Sequence, residues 1–209
     1  RIISRIDIKN EFVIKGINLE GLRKIGDPLE IATNYYKDGI DEIMMMDAVA
    51  SLYGRNNLFN IVERSVENIF VPITLGGGIR SLNDIDKALK SGADKVAINT
   101  YATENPNFIR EAVKNFGSST ITVYIEAKNI GSGKWEAYKN SGRDKTGLEI
   151  VDWIQRVQDY NCGELLITSI DYEGLQEGFD LKLLDKIYQY VNVPLIFNGG
   201  CGKMEDILE

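Results

Sequence analysis

A repeat of about 122 residues sets the limits on what this chain can fold into. Val71-Pro72-Ile73-Thr74-Leu75-Gly76-Gly77-Gly78 leads into Ile79 to Ile85, and Val193-Pro194-Leu195-Ile196-Phe197-Asn198-Gly199-Gly200 leads into Cys201 to Ile207 with the same layout. Glu42 to Asp47 matches Glu164 to Ser169 at the same offset, and Ile6 to Asn10 matches Ile125 to Asn129 at nearly the same one. A tandem of two similar halves decides architecture before any single element does. Each half alternates short apolar runs with amphipathic segments in units of about 30 residues, the signature of parallel strands with helices packed outside. Strands are expected at Ile2–Ile8, Glu42–Asp47, Ile73–Leu75, Lys95–Asn99, Thr120–Ala127, Glu164–Ser169 and Leu195–Asn198. Helices are expected at Asp27–Gly39, Asn57–Asn68, Leu82–Lys90, Asn105–Gly117, Leu148–Asp159, after Phe179 and from Lys203. Two open halves of four units close as a (βα)8 TIM barrel. A doubly wound open sheet is the alternative.

The second half is short by one unit. A counterpart to the strand at Lys95 is expected near residue 217, and the sequence stops at Glu209. The reading is therefore one barrel domain over 1–209, with half-barrels at about 1–118 and 119–209, the second incomplete. A barrel lacking a strand leaves two open edges, and a partner or second copy is expected to cover them. The segment Lys9–Gly26 exceeds an ordinary βα loop and reads as a mobile active-site loop. Ile130–Asn140 reads as a hairpin excursion.

Each strand–glycine–helix unit offers a backbone that can approach a ligand closely, followed by free N–H groups at a helix start. Ser81 and Asp84 have capping-box spacing. Gly77 and Gly78 with Asn99 and Thr100 in one half, and Gly199 and Gly200 in the other, are candidate phosphate sites. Two such sites imply an elongated substrate with a phosphate at each end. The chain has no histidine, so acid–base chemistry falls to carboxylates, Lys, Tyr or Cys. Asp7 and Glu126 end the first strand of each half, and in a barrel those strands face each other across the axis. They are the candidate acid–base pair. Arg1, Glu42, Lys95 and Glu164 begin strands on the opposite face, where two positive and two negative groups can form a salt-bridged floor.

Other classes recede. A net charge of −7 argues against nucleic acid or an anionic membrane as partner. No apolar run approaches a membrane span. The two cysteines, Cys162 and Cys201, have no metal or redox spacing and read as reduced cytosolic thiols. No metal or cofactor is expected.

Taken together, Arg-Ile-Ile-x-x-Ile-Asp at the start, Gly-Asp-Pro at 26–28, Leu-Gly-Gly-Gly-Ile at 75–79, Gly-Ala-Asp-Lys-Val at 92–96, Ile-Asn-Thr at 98–100, Ser-Gly at 141–142, Thr-Gly at 146–147, Gly-Glu-Leu-Leu-Ile-Thr-Ser-Ile-Asp at 163–171 and Gly-Gly-Cys-Gly-Lys-Met-Glu at 199–205 resemble the cyclase subunit of imidazole glycerol phosphate synthase, the HisF family. The resemblance covers the whole chain. It implies a glutaminase (HisH-like) partner at the barrel floor, with ammonia passing a charged gate of Arg1, Glu42, Lys95 and Glu164. At the top, ammonia attacks a bisphosphorylated ribulosylformimino aminoimidazole carboxamide ribonucleotide, giving imidazole glycerol phosphate and AICAR in histidine biosynthesis. Asp7 and Glu126 take the catalytic positions. Lys15 takes that of the first-loop lysine. Ser141, Thr168 and Glu173 join the glycines, Asn99 and Thr100 in the substrate wall. The chain departs from the family pattern at Glu126 and Glu173, both Asp there, at Arg5, usually Cys, and at Asn198, usually a small Ser-like residue. An added methylene displaces a carboxylate by about 1 Å, which can change a rate on the order of a hundredfold. Intact Asp7 points to the cyclase. Glu126, Glu173 and Asn198 point towards HisF-like proteins of surface-polysaccharide loci, which feed ammonia to a sugar amidotransferase. A non-catalytic scaffold that activates the glutaminase is the third reading.

Overall fold

In the computed structural model, which describes residues 1–50 and 58–208, seven parallel strands curl around one axis. They are β1 (Ile3–Lys9), β4 (Glu42–Asp47), β5 (Ile73–Gly76), β6 (Lys95–Ile98), β7 (Ile121–Gly131), β10 (Glu164–Ser169) and β11 (Leu195–Asn198). β4 and β10, at equivalent places in the repeat, are buried at all six positions, as strands covered on both faces must be. The outer layer contains α1 (Pro28–Lys37), α2 (Phe59–Ser65), α3 (Leu82–Lys90), α4 (Thr100–Glu104), α5 (Asn107–Phe116), α6 (Ile150–Gln158) and α7 (Leu181–Ile187). The expected helix start at Asn57 lies outside the described residues.

The local signals act as chemistry requires. Asp27 caps α1 by accepting the Glu30 N–H, with Pro28 at the first helical position. Ser81 and Asp84 form the reciprocal capping box of α3. The helices bury Ile85, Ile109, Trp153, Ile154 and Ile187 against the outside of the sheet. A separate cluster of Met44, Met46, Ala97, Tyr124 and Leu166 packs inside. These residues come from β4, β6, β7 and β10, so the sheet has curled until strands far apart in its order touch. An open doubly wound sheet would keep them apart.

The sheet order is β11-β10-β7-β6-β5-β4-β1. Among the described residues β11 and β1 do not pair, and a seam separates them. Ties cross it at three levels: Arg1 to Glu164 at the bottom, Arg5 to Thr168 in the middle, and Lys15 to Glu173 with Asn18 to the Glu173 and Asp171 carbonyls at the top.

Several expectations need correction. Lys9–Gly26 is not an irregular loop but an antiparallel hairpin, β2 (Phe12–Ile17) and β3 (Glu20–Gly26), that extends the upper end of β1. Asn18 and Leu19 turn it with φ of 52° and 64°, a geometry normally signalled by Asn-Gly. The excursion after β7 is larger than Ile130–Asn140: β8 (Lys134–Lys139) is followed by β9 (Asp144–Glu149), and α6 starts at Ile150 rather than Leu148. Trp135 and Ala137 anchor it by burial in the core. The helix expected at Asn105–Gly117 forms as α5, the short α4 before it was not expected, and the last helix is a 3₁₀ turn at Met204–Ile207.

Candidate active site

At the N-terminal ends of the strands a ring of alternating charge closes the barrel. The Arg1 guanidinium reaches Glu42 at 2.5 Å and also pairs with Glu164, while Lys95 Nζ lies 3.1 Å from Glu42 and 3.2 Å from Glu164. Thr122 adds a hydroxyl to Glu164. Both carboxylates are buried, and each is held between two cations, which is what permits buried charge. All four floor residues expected from the sequence meet here.

At the opposite end a cavity of about 220 Å³ opens on the axis. Of the expected residues, Asp7, Gly77, Gly78, Asn99, Thr100, Glu126, Ser141 and Glu173 line it. Gly77 has φ 94°, and a Cβ there would lie 2.4 Å from the Asp47 carbonyl oxygen, so the turn requires glycine. Asn99 directs its buried Oδ1 at no protein partner, leaving an acceptor on the cavity wall. Sequence reasoning missed Arg80 and Arg143, which also line the cavity. Arg80 follows the triple glycine directly and Arg143 sits between β8 and β9, so an anion at this end would meet two cations as well as the glycine turn.

The other glycine turn is differently placed. Gly199 and Gly200 line a second cavity of about 350 Å³ along the seam, with Lys15, Glu173 and Asn198. The backbone there is tightly packed: a Cβ on Gly200 would lie 1.9 Å from the Gly178 carbonyl oxygen. Lys15 is taken up by Glu173, whose other oxygen accepts from Asn198 at 3.1 Å. Thr168 lines neither cavity, and instead accepts from Asn198 at 3.0 Å and from Arg5 at 2.9 Å. The two anion sites expected to be equivalent thus differ, one open and cationic, the other neutralised by a fixed carboxylate.

The two candidate catalytic carboxylates have different surroundings. Asp7 Oδ1 lies 2.9 Å from both Nε and Nη2 of Arg5. Glu126 is buried, and burial pushes its pKa up to about 7, against the opposing pull of the Gly142 N–H at 2.8 Å, Arg5, Tyr124 and Asn99. Glu173 goes the other way. Burial alone would raise it, but Arg5 and Lys15 hold it below the usual carboxylate range. A carboxyl group titrating near neutrality beside a second carboxylate clamped by a cation is an arrangement suited to proton donation and acceptance.

Comparisons with known proteins show the family to which such a chain belongs. A family model described as "Histidine biosynthesis protein" matches residues 1–209. A Legionella pneumophila protein is 50% identical over 206 residues, 99% of this chain and 97% of that protein. A Bacillus cereus (strain Q1) protein is 43% identical over 209 residues, the whole of this chain and 83% of that protein. Both carry the name imidazole glycerol phosphate synthase subunit HisF.

Proposed function

This chain belongs to the histidine biosynthesis protein family, and from that premise we propose that it is the cyclase subunit of imidazole glycerol phosphate synthase. In this role it uses ammonia to convert the bisphosphorylated ribulosylformimino aminoimidazole carboxamide ribonucleotide to imidazole glycerol phosphate and AICAR. The observation that carries the reading is the stacking of two devices on one axis: a closed ring of alternating charge at the floor and two carboxyl groups of contrasting environment in the cavity above it.

The assigned roles follow from that contrast. Asp7, clamped by Arg5, is the proton acceptor for the attacking nitrogen. Glu126, which keeps its proton up to about pH 7, is the donor to the amine that departs on cleavage. Gly77, Gly78, Thr100, Arg80 and Arg143 receive one phosphate, with Asn99 and Ser141 on the adjoining wall. Gly199 and Gly200 with Lys15 receive the other, which requires the substrate to compete with Glu173 for Lys15. A glutaminase subunit docks at the floor and delivers ammonia past Arg1, Glu42, Lys95 and Glu164. Its place in amino-acid biosynthesis assigns it to the cytoplasm. Separately, no described helix is long and apolar enough to cross a membrane.

The test is ammonia-dependent conversion of the ribulosylformimino nucleotide by the purified chain. Turnover supports the cyclase. A folded protein with no turnover overturns it in favour of an ammonia-delivering subunit for a sugar amidotransferase, the reading favoured by the occupied Lys15 and the neutralised second anion site.

The floor ring gives a separate prediction. Lys95→Ala leaves Glu42 and Glu164 with Arg1 alone, and the ring should open or rearrange. In the complex with the glutaminase, glutamine-dependent turnover is expected to be lost while turnover with added ammonium salt is kept. Equal coupling in variant and wild type would remove the gate role.

A further inference from the structure

Between the floor ring and the carboxyl pair, the lumen is crossed by the charged side chain of Arg5. Arg5 leaves β1, is largely but not fully buried, and stretches to β7 and β10. Its Nη1 donates to the Tyr124 hydroxyl and to Thr168 Oγ1, both at 2.9 Å, and its Nε and Nη2 meet Asp7 Oδ1, both at 2.9 Å. The guanidinium carbon also lies 5.0 Å from the centre of the Tyr124 ring. Four of the five N–H groups of the fork are therefore engaged by this protein's own atoms. A side chain so fully engaged has little left with which to grip a substrate; what it does is hold its neighbours.

Those neighbours are the chemistry. Tyr124 and Glu126 are two apart on β7 and so share a face, which sets the Tyr124 hydroxyl, held by Arg5 at 2.9 Å, where it favours the ionised form of Glu126. The hydrogen bonds run from Asp7 through Arg5 to Tyr124, and Glu126 follows on the same face of β7. We propose that Arg5 is the positioning residue of the acid–base pair, bonded to Asp7 directly and acting on Glu126 as a nearby cation and through Tyr124, which it holds on the same face of β7. The inference rests on the reading of Asp7 and Glu126 as the catalytic pair and adds to it the residue that sets their geometry and their charge.

The charge balance supports it. The groups facing Arg5 are Asp7 from β1, Tyr124 and Glu126 from β7, and Glu173 from the loop after β10, which itself holds Lys15 of β2. Arg5 and Lys15 offset Asp7 and Glu173, so the cluster is neutral with Glu126 protonated. Ionising Glu126 adds one unbalanced buried negative charge, and Arg5 is the nearby cation that limits the penalty. Asp47, Arg80, Glu104 and Arg143 are further out on the cavity wall. Arg5 and Glu173 are also the charged groups common to the axial cavity and the seam cavity, so the same side chain forms part of the partition between them.

The test uses the full chain without substrate. The Glu126 carboxyl is followed by ¹³C NMR during a pH titration, its signal assigned by its loss in Glu126→Gln. In Arg5→Met the midpoint should move upward by about one pH unit or more, since a cation at this range shifts a carboxyl by that order. In Arg5→Lys the charge stays but the fork is lost. There the midpoint should stay near that of the wild type while ammonia-dependent turnover drops by about tenfold or more. A purely structural role would not separate the two readouts in this way. An unmoved midpoint in folded Arg5→Met overturns the proposal, as does full turnover in Arg5→Lys. If circular dichroism shows Arg5→Met unfolded, Tyr124→Phe decides: it removes the link to Glu126, so the midpoint should rise, and no rise overturns the proposal. Absence of turnover in the wild type would remove the cyclase reading but not the titration, so the two fail separately.

Discussion

Replacing Asp7 by Asn is expected to lower ammonia-dependent turnover by about 10²–10⁴, the contribution typical of a positioned general base. The substitution is nearly isosteric. The Asn amide oxygen can still accept from Arg5 Nε and Nη2, which lie 2.9 Å from Asp7 Oδ1, so the tie between β1 and the centre of the barrel survives. What disappears is the ability to take a proton. The variant should remain folded by circular dichroism, with its defect in kcat rather than in KM, because the phosphate contacts lie elsewhere in the cavity. Removal of the negative charge also leaves Arg5 balanced by Glu173 alone, so some thermal stability should be lost. Turnover within a few-fold of the wild type would exclude Asp7 as the base and leave it as a structural partner of Arg5.

Glu126→Gln should act in two opposite directions. Turnover is expected to fall by about 10²–10⁴, because Gln cannot donate the proton that Glu126 holds. Stability, in contrast, should rise at alkaline pH. Glu126 titrates near 7 in the folded chain, against 4.5 for the unperturbed side chain. As pH rises past the lower value the unfolded chain releases this proton while the folded chain keeps it, so folding loses free energy progressively up to about pH 7 and remains penalised above it. The penalty is on the order of 3 kcal/mol. Gln is neutral at every pH and can still accept the Gly142 N–H. Urea unfolding of the two proteins should therefore coincide most closely near pH 4.5 and separate by up to about 3 kcal/mol in favour of Gln by pH 8. A constant difference across that range would show that burial does not destabilise the ionised Glu126.

A carboxyl group whose burial costs folding free energy is a candidate for chemistry, and such distance-dependent terms also explain what could and could not be read in the linear chain. The strands at Glu164–Ser169 and Leu195–Asn198 and the helix at Leu82–Lys90 were legible to the residue. Their signals are local: a continuous apolar run, a glycine turn, a capping box. The hairpin at Phe12–Gly26 was not legible. Its turn uses Asn18-Leu19 rather than a glycine, and its strands are mostly exposed. β9 was hidden for a similar reason. Asp144–Glu149 has little apolar content, and pairs with β8 because Trp135 and Ala137 fix β8 against the core.

The site shows the same division. Asp7, Glu126 and the four floor charges were legible because the repeat puts equivalent residues at equivalent strand ends, and strand ends define the two faces of a barrel. Arg5, Glu173 and Asn198 were visible only as three separate departures from a family pattern. In the structure they are one network, running from Arg5 through Thr168 and Asn198 to Glu173 and Lys15.

The sequence by itself thus determined the alternation of strand and helix, the two halves, and the ends at which charge and chemistry sit, because periodicity and repeat spacing are properties of neighbours along the chain. Only the tertiary structure decided which of the two glycine turns remains open to an anion, that a seam separates β1 from β11 among the described residues, and that Arg5 stands between the carboxyl groups. The physical reason is that desolvation and Coulomb interactions depend on distance through the folded protein. Asp7, Tyr124 and Glu173 are far apart along the chain, yet one largely buried guanidinium brings them into a single electrostatic unit.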